Sequence, residues 1–147
     1  MAKRVAASGS VLIARPVGEV FAFFADAEND PAWRPGVKSI RRLGEPGVGA
    51  EYEQSVAGPG GRSVSANVRV TAFEPDRRVA FEGTSGPIRP RGEYLFSAAE
   101  GGTRVTFSLA VELSALKSLV MSGPVQKTMD AEIGALTRAK AHLERSA

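Results

Sequence analysis

Apolar and polar positions along the chain follow two periods, and the period changes three times. Residues 5–14, "VAASGSVLIA", read as a first strand. A helical period follows. Pro16 stands where a first helical turn tolerates its missing N–H. Val17, Val20, Phe21 and Phe24 then recur at helical spacing, so a short helix with one apolar face ends near Asp26. The next stretch, "DAENDPAWRPGV" (26–37), fits neither period. Pro31 and Pro35 flank the only tryptophan, Trp33, and each disfavours helical geometry in the residue before it. This predicts a turn or a broken helical piece. Its large aromatic either plugs the edge of a core or lines a binding site.

From residue 37 the period is two. Strands are expected at 37–43, 49–57, 62–73, 78–83, 92–98 and 103–113, with turns at 58–61, 74–77 and 100–102. The clearest alternation places Val64, Ala66, Val68, Val70 and Ala72 on one face, and Val105, Phe107, Leu109, Val111 and Leu113 on another. Consecutive hairpins of this kind make an antiparallel sheet with one covered and one wet face. Glu51, Glu53, Arg69, Arg104 and Glu112 fall on the wet face by phase. The last change of period supplies the cover. Residues 122–146 predict a helix of about 20 residues, about 30 Å long, with Ser122 as N-cap and Pro124 in the first turn. Val125, Met129, Ile133, Leu136 and Leu143 form its stripe, and Glu132 borders that stripe. Lys127, Arg138 and His142 take the opposite side. The expected fold is α+β: a curved antiparallel sheet of about seven strands around a long C-terminal helix, with two short helices after the first strand. Such a sheet does not pack flat on one helix, and a cavity between them is expected.

Composition narrows this picture. The 147 residues favour one domain with a single core, spanning 1–147. No cysteine is present, which excludes disulfides, thiolate metal sites and cysteine nucleophiles and suits a cytoplasmic location. The opening residues carry only a short apolar run, "VLIA" (11–14), too short for a secretory signal, and no run approaches a membrane span. The net charge is +3, but the basic residues are scattered, so no nucleic-acid footprint forms.

In "VLIARPVGEVFAFFADAENDPAWRPGV", "GVGAEY", "FEPDRRVAFE", "GGTRVTFSLAVEL" and the terminal "AKAHLE", the chain resembles the START-like, polyketide cyclase/dehydrase superfamily with the helix-grip fold. The resemblance covers nearly the whole chain. It implies a space between sheet and helix that holds a hydrophobic small molecule. Relatives include lipid and sterol carriers, aromatic polyketide cyclases and hormone sensors. At the position of Trp33 the family carries a tryptophan that packs near the first helix.

A search for chemistry leaves few candidates. His142 is the only histidine, so neither a histidine metal cluster nor a Ser-His-Asp triad can be assembled, and no metal or cofactor is expected. The glycine-rich stretches lack phosphate-loop spacing and read as hairpin turns. The candidate ligand contacts are Phe24, Trp33, Tyr52, Gln54, Val68, Phe81, Tyr94, Phe96, Phe107, Met121, Val125 and Met129, drawn from strand phase, the helix stripe and the resemblance. Tyr52, Gln54 and Tyr94 are the polar ones among the inward strand positions, and a buried hydroxyl or amide needs a partner. Glu132 is the one carboxylate near the expected pocket. Arg89 or Arg91 could turn inward where Pro87 and Pro90 blur the strand phase.

Three functions follow as expectations. The first is binding of a hydrophobic, aromatic or lipid-like small molecule. The second is an enzyme resembling polyketide cyclases or dehydratases, with catalytic residues left open. The third is a protein-interaction module, favoured by a solid core beside an exposed apolar patch. The ligand and the oligomeric state are not legible.

Overall fold

The computed structural model describes residues 2–145. Met1, Ser146 and Ala147, and with them the last residue of the expected helix, lie outside the described residues. Eight strands form one antiparallel sheet: β1 (Lys3–Ile13), β2 (Val37–Leu43), β3 (Glu51–Ala57), β4 (Ser63–Ser65), β5 (Val68–Glu74), β6 (Arg78–Gly83), β7 (Arg91–Ala99) and β8 (Gly102–Leu113). Their spatial order is β1-β8-β7-β6-β5-β3-β2, with β4 paired to β3 off that path. The short helix α1 (Val17–Ala25) and a 3-10 helix (Ala27–Ala32) follow β1 as expected, and α2 (Ala115–Gly134) and α3 (Leu136–Arg145) close the chain.

The alternation read from β8 holds in full. Val105, Phe107, Leu109, Val111 and Leu113 are buried, while Arg104 and Glu112 are exposed. Burial of one face drives this register, because a one-residue slip would send all five apolar side chains to water. Helix α2 lies across β1, and Gly9 lets it come close: a Cβ there would stand 2.5 Å from Ile133 Cγ2.

Two boundaries differ from the expectation. The strand expected at 62–73 is divided at Ala66 and Asn67. The Asn67 side chain replaces part of the ladder by accepting from Gln54 N at 3.0 Å, and Asn67 N donates to Ser85 Oγ at 2.8 Å. A register shift between Val70 and Ala72 then leaves both Ala72 and Phe73 half-buried. The C-terminal helix begins at Ala115 rather than after Ser122. Ser114 caps it, its Oγ accepting from Lys117 N at 3.3 Å, and Pro124 lies inside it at an exposed position. The helix is also interrupted. At Ala135 one N–H is shared among the carbonyls of Ala131, Glu132 and Ile133, and α3 starts anew. His142 is not fully on the wet side, since its ring lies 5.3 Å from that of Phe23.

The two ends of the grip differ. Ile13, Phe21, Phe24, Leu136, Ala139 and Leu143 are all buried where α1 and α3 seal the sheet. At the opposite end, near the β6–β7 connection and the start of α2, Val68, Phe81, Ile88 and Met121 remain half-buried.

Candidate functional site

The site grows from the segment that fitted neither period. Asp26 ends α1 and caps the 3-10 helix, its Oδ1 accepting from Glu28 N at 3.0 Å. Asn29 Nδ2 donates to Phe23 O at 3.0 Å and fastens the turn to α1. A 3-10 helix has about three residues per turn, so residues three apart eclipse. Asp30 and Trp33 are such a pair, joined by Trp33 N donating to Asp30 O at 3.0 Å. The tight turn tolerates Pro31 and drives both side chains inward: Asp30 is 4% exposed and Trp33 1%.

Trp33 plugs an aromatic core. Its ring stands edge-on to Phe24 at 5.5 Å and to Phe107 at 6.0 Å. Tyr94 stacks on Phe107 at 4.6 Å and lies 5.1 Å from Phe24 and 5.9 Å from Phe81. Phe96 extends the set 6.0 Å from Phe24. Val125 and Met129 of α2 belong to the same buried cluster. Five of the expected contacts, Phe24, Trp33, Tyr94, Phe96 and Phe107, therefore form one continuous group of rings. Val68, Phe81 and Met121 stand at its half-open end.

Beside these rings lies a charged cluster centred on Arg34. Its Nε donates to Glu132 Oε2 at 2.6 Å and its Nη2 to Glu132 Oε1 at 3.3 Å. Its Nη1 donates to Asp30 Oδ2 at 2.8 Å and to Gln54 Oε1 at 2.9 Å. Gln54 passes the contact on, with Nε2 donating to Ala66 O at 2.8 Å. One guanidinium thus joins the 3-10 helix, β3 and α2. A planar fork suits this better than a lysine, because two of its nitrogens can serve one carboxylate while the third reaches elsewhere.

The electrostatics are uneven. Burial pushes the Asp30 carboxyl up to about 6, against the pull of Arg34. Burial also works against the charge on Arg34, but Glu132 and Asp30 more than offset it and hold the guanidinium protonated. The Tyr94 hydroxyl is raised well above its ordinary value, first by burial and then by Asp30. Burial raises Tyr52 too, opposed by hydrogen bonds with Arg42 and the Ala27 backbone, so its hydroxyl is committed to the β2 side. Two buried polar atoms, Asp30 Oδ1 and Trp33 Nε1, have no hydrogen-bond partner among the described residues. A buried polar atom left without a partner costs about 1–3 kcal/mol.

Arg34 and Asp30 were not singled out in the sequence. The available signal was an acid and a base four residues apart in a proline-broken segment that also holds the tryptophan. Glu132, expected at the border of the stripe, turns inward to Arg34. Arg89 and Arg91 are exposed. Two concavities lie away from the rings. A groove of about 700 Å3 on the outer face of the sheet is bordered by Arg4, Arg78 and Arg91. A smaller one of about 390 Å3 lies between Pro87–Arg89, Val111–Ser114 and Lys117. Among the described residues no group of His, Cys, Asp and Glu could hold a metal ion. Among the described residues no helix is long and apolar enough to cross a membrane.

A curved antiparallel sheet gripping a long C-terminal helix, with two short helical segments after β1, defines a helix-grip protein. Its sequence makes the assignment narrower: the chain belongs to the polyketide cyclase/dehydrase and lipid transport family, whose model matches residues 4–144. No curated protein matches it. Several solved structures share the fold. The di-domain ARO/CYC StfQ from the steffimycin biosynthetic pathway superposes with a TM-score of 0.80 at 16% identity, over 97% of this chain and 51% of that one. This chain thus spans about half of that protein's length. TTHA0849 from Thermus thermophilus gives 0.77 at 21% identity, over 99% and 100% of the two chains. A START superfamily protein from Mycobacterium smegmatis gives 0.73 at 16% identity, over 94% and 98%. At these identities the likeness is one of fold.

Proposed function

We propose that the protein binds one hydrophobic small molecule at the half-open end of the grip. Its apolar body lies against Val68, Phe81, Ile88 and Met121, and its polar end is directed toward Tyr94 and the Arg34–Gln54 pair. The observation that carries this reading is the pairing of incompletely buried, inward-facing apolar side chains with a buried polar cluster. Ligand sites have that composition: mostly apolar walls with a few placed polar groups. Trp33 and Phe24 support the wall from behind.

The test uses the single tryptophan. Energy transfer from Trp33 to 1-anilinonaphthalene-8-sulfonate, an aromatic anion, is expected to saturate at one probe per chain. Tyr94→Phe keeps the ring stack and is expected to weaken the probe about fivefold to tenfold, the worth of one hydrogen bond to a polar ligand group. Transfer that never saturates, or an unchanged affinity in Tyr94→Phe, contradicts the reading.

One observation favours a second reading, a cyclase- or dehydratase-like enzyme. A carboxyl titrating at about 6, as Asp30 does, is suited to proton transfer near neutral pH. In that reading Asp30 and Tyr94 exchange protons with a folded, carbonyl-rich substrate, and Asp30→Asn abolishes turnover while sparing binding.

A further inference from the structure

The first two turns of α2 carry an apolar face turned to solvent. Leu116, Leu119 and Val120 are 78%, 81% and 75% exposed, whereas Ser118 and Ser122 face the protein half-buried. The spacing i, i+3, i+4 places the three apolar side chains on one helical face. That face is not isolated. Lys117 Nζ donates to Pro87 O at 3.4 Å, tying the start of α2 to the β6–β7 connection, where Pro87 is exposed and Ile88 half-buried.

The charge around this face is mostly positive. Residues 114–129 contain Lys117 and Lys127 and no acid, with Asp130 the next acid along the helix, and residues 83–90 contain Arg89 and no acid. Glu112 is the one carboxylate bordering the adjoining concavity, and it stands across the strand pair from Arg4. Lys117, Lys127 and Arg89 are not drawn into any ion pair with a carboxylate among the described residues. An apolar ridge fringed by cations matches an anionic bilayer surface: the ridge enters the acyl boundary and the cations meet the headgroups. A second copy of this chain would bring the same cations against themselves.

We propose that the start of α2 and the β6–β7 connection dock the protein on an anionic lipid surface through Leu116, Leu119 and Val120. The surface adjoins the half-open end of the grip, but the proposal does not depend on the ligand reading.

Flotation of the full chain with phosphatidylcholine vesicles, with and without phosphatidylglycerol, tests it. Binding is expected to the anionic vesicles and to fall as salt is raised. Leu119→Asp is expected to lower the partition coefficient tenfold or more, given the burial worth of about one leucine. Lys117→Glu is expected to weaken binding to anionic vesicles and leave the weak binding to neutral ones unchanged. Leu119 is exposed, so the variant is expected to fold, and unchanged Trp33 emission checks this. Saturable probe binding kept in Leu119→Asp separates this surface from the ligand site. Failure to float with anionic vesicles overturns the proposal. So does binding indifferent to Leu119→Asp, or self-association that this variant abolishes without any vesicle binding.

Discussion

Arg34 and Glu132 meet as a two-pronged pair, Nε to Oε2 at 2.6 Å and Nη2 to Oε1 at 3.3 Å. The contact spans 98 positions of sequence and fastens the segment after the 3-10 helix to the C-terminal part of α2. The same guanidinium holds Asp30, which is almost wholly buried, so the pair is part of a triad carrying one more negative charge than positive. Removing Arg34 leaves a buried carboxylate without its partner. Arg34→Met is therefore expected to lower stability by about 3–5 kcal/mol in urea unfolding. Glu132→Gln, at a site partly open to water, is expected to cost about 1–2 kcal/mol. Equal losses in the two variants would mean that Asp30 does not depend on Arg34.

Asp30 gives the protein a pH dependence of definite sign. Its carboxyl titrates at about 6 in the folded chain against 3.8 in a model peptide, chiefly because burial disfavours the charge. The native state therefore holds the proton more tightly than the unfolded one. The stability from this group is complete below about pH 4 and is lost as pH rises through 6. Measured as wild type against Asp30→Asn between pH 4 and 7.5, the wild type is expected to lose on the order of 3 kcal/mol relative to the variant, from the size of the shift. A constant difference across that range would show that Asp30 is not shifted.

The approach of α2 to β1 makes a separate prediction. A methyl at Gly9 meets Ile133 Cγ2 at 2.5 Å, closer than packed carbons tolerate. Gly9→Ala is expected to destabilise by about 1–3 kcal/mol, the usual cost of overpacking. Ile133→Ala in the same chain is expected to recover part of that loss, because the two side chains compete for one space. Strictly additive losses in thermal melts would place the helix elsewhere.

Trp33 is fully enclosed by rings, so Trp33→Ala is expected to cost about 3–5 kcal/mol. Trp33→Phe keeps part of the edge-on contacts with Phe24 and Phe107, and is expected to cost well under half of that. It also removes the buried Nε1 that lacks a partner. Denaturant midpoints of the two variants check the order, and a larger loss in Trp33→Phe would contradict the packing described.

The strands and their faces were legible because alternation is a local signal, and β8 keeps it over twelve residues without a break. The division between β4 and β5 was hidden, since Asn67 fits the polar phase of a strand while its side chain takes over a ladder bond. The start of α2 was misjudged for a related reason. Ser122–Gly123–Pro124 carries the marks of an N-terminus, and Leu116, Leu119 and Val120 do not point where an amphipathic helix would send them. The rings of the site followed from inward phase and from family resemblance. The charged cluster did not, because it depends on a tertiary meeting of Arg34 with Glu132 that no spacing encodes. Only the Asp30–Arg34 interval of four residues hinted at it.

Native mass spectrometry of freshly purified protein, followed by the same sample denatured, tests the ligand reading most directly. An excess mass is expected, one small molecule per chain, that vanishes on denaturation and is lost from Tyr94→Phe before it is lost from Leu119→Asp. A clean apo mass, together with no saturable uptake of the aromatic anion, would contradict it.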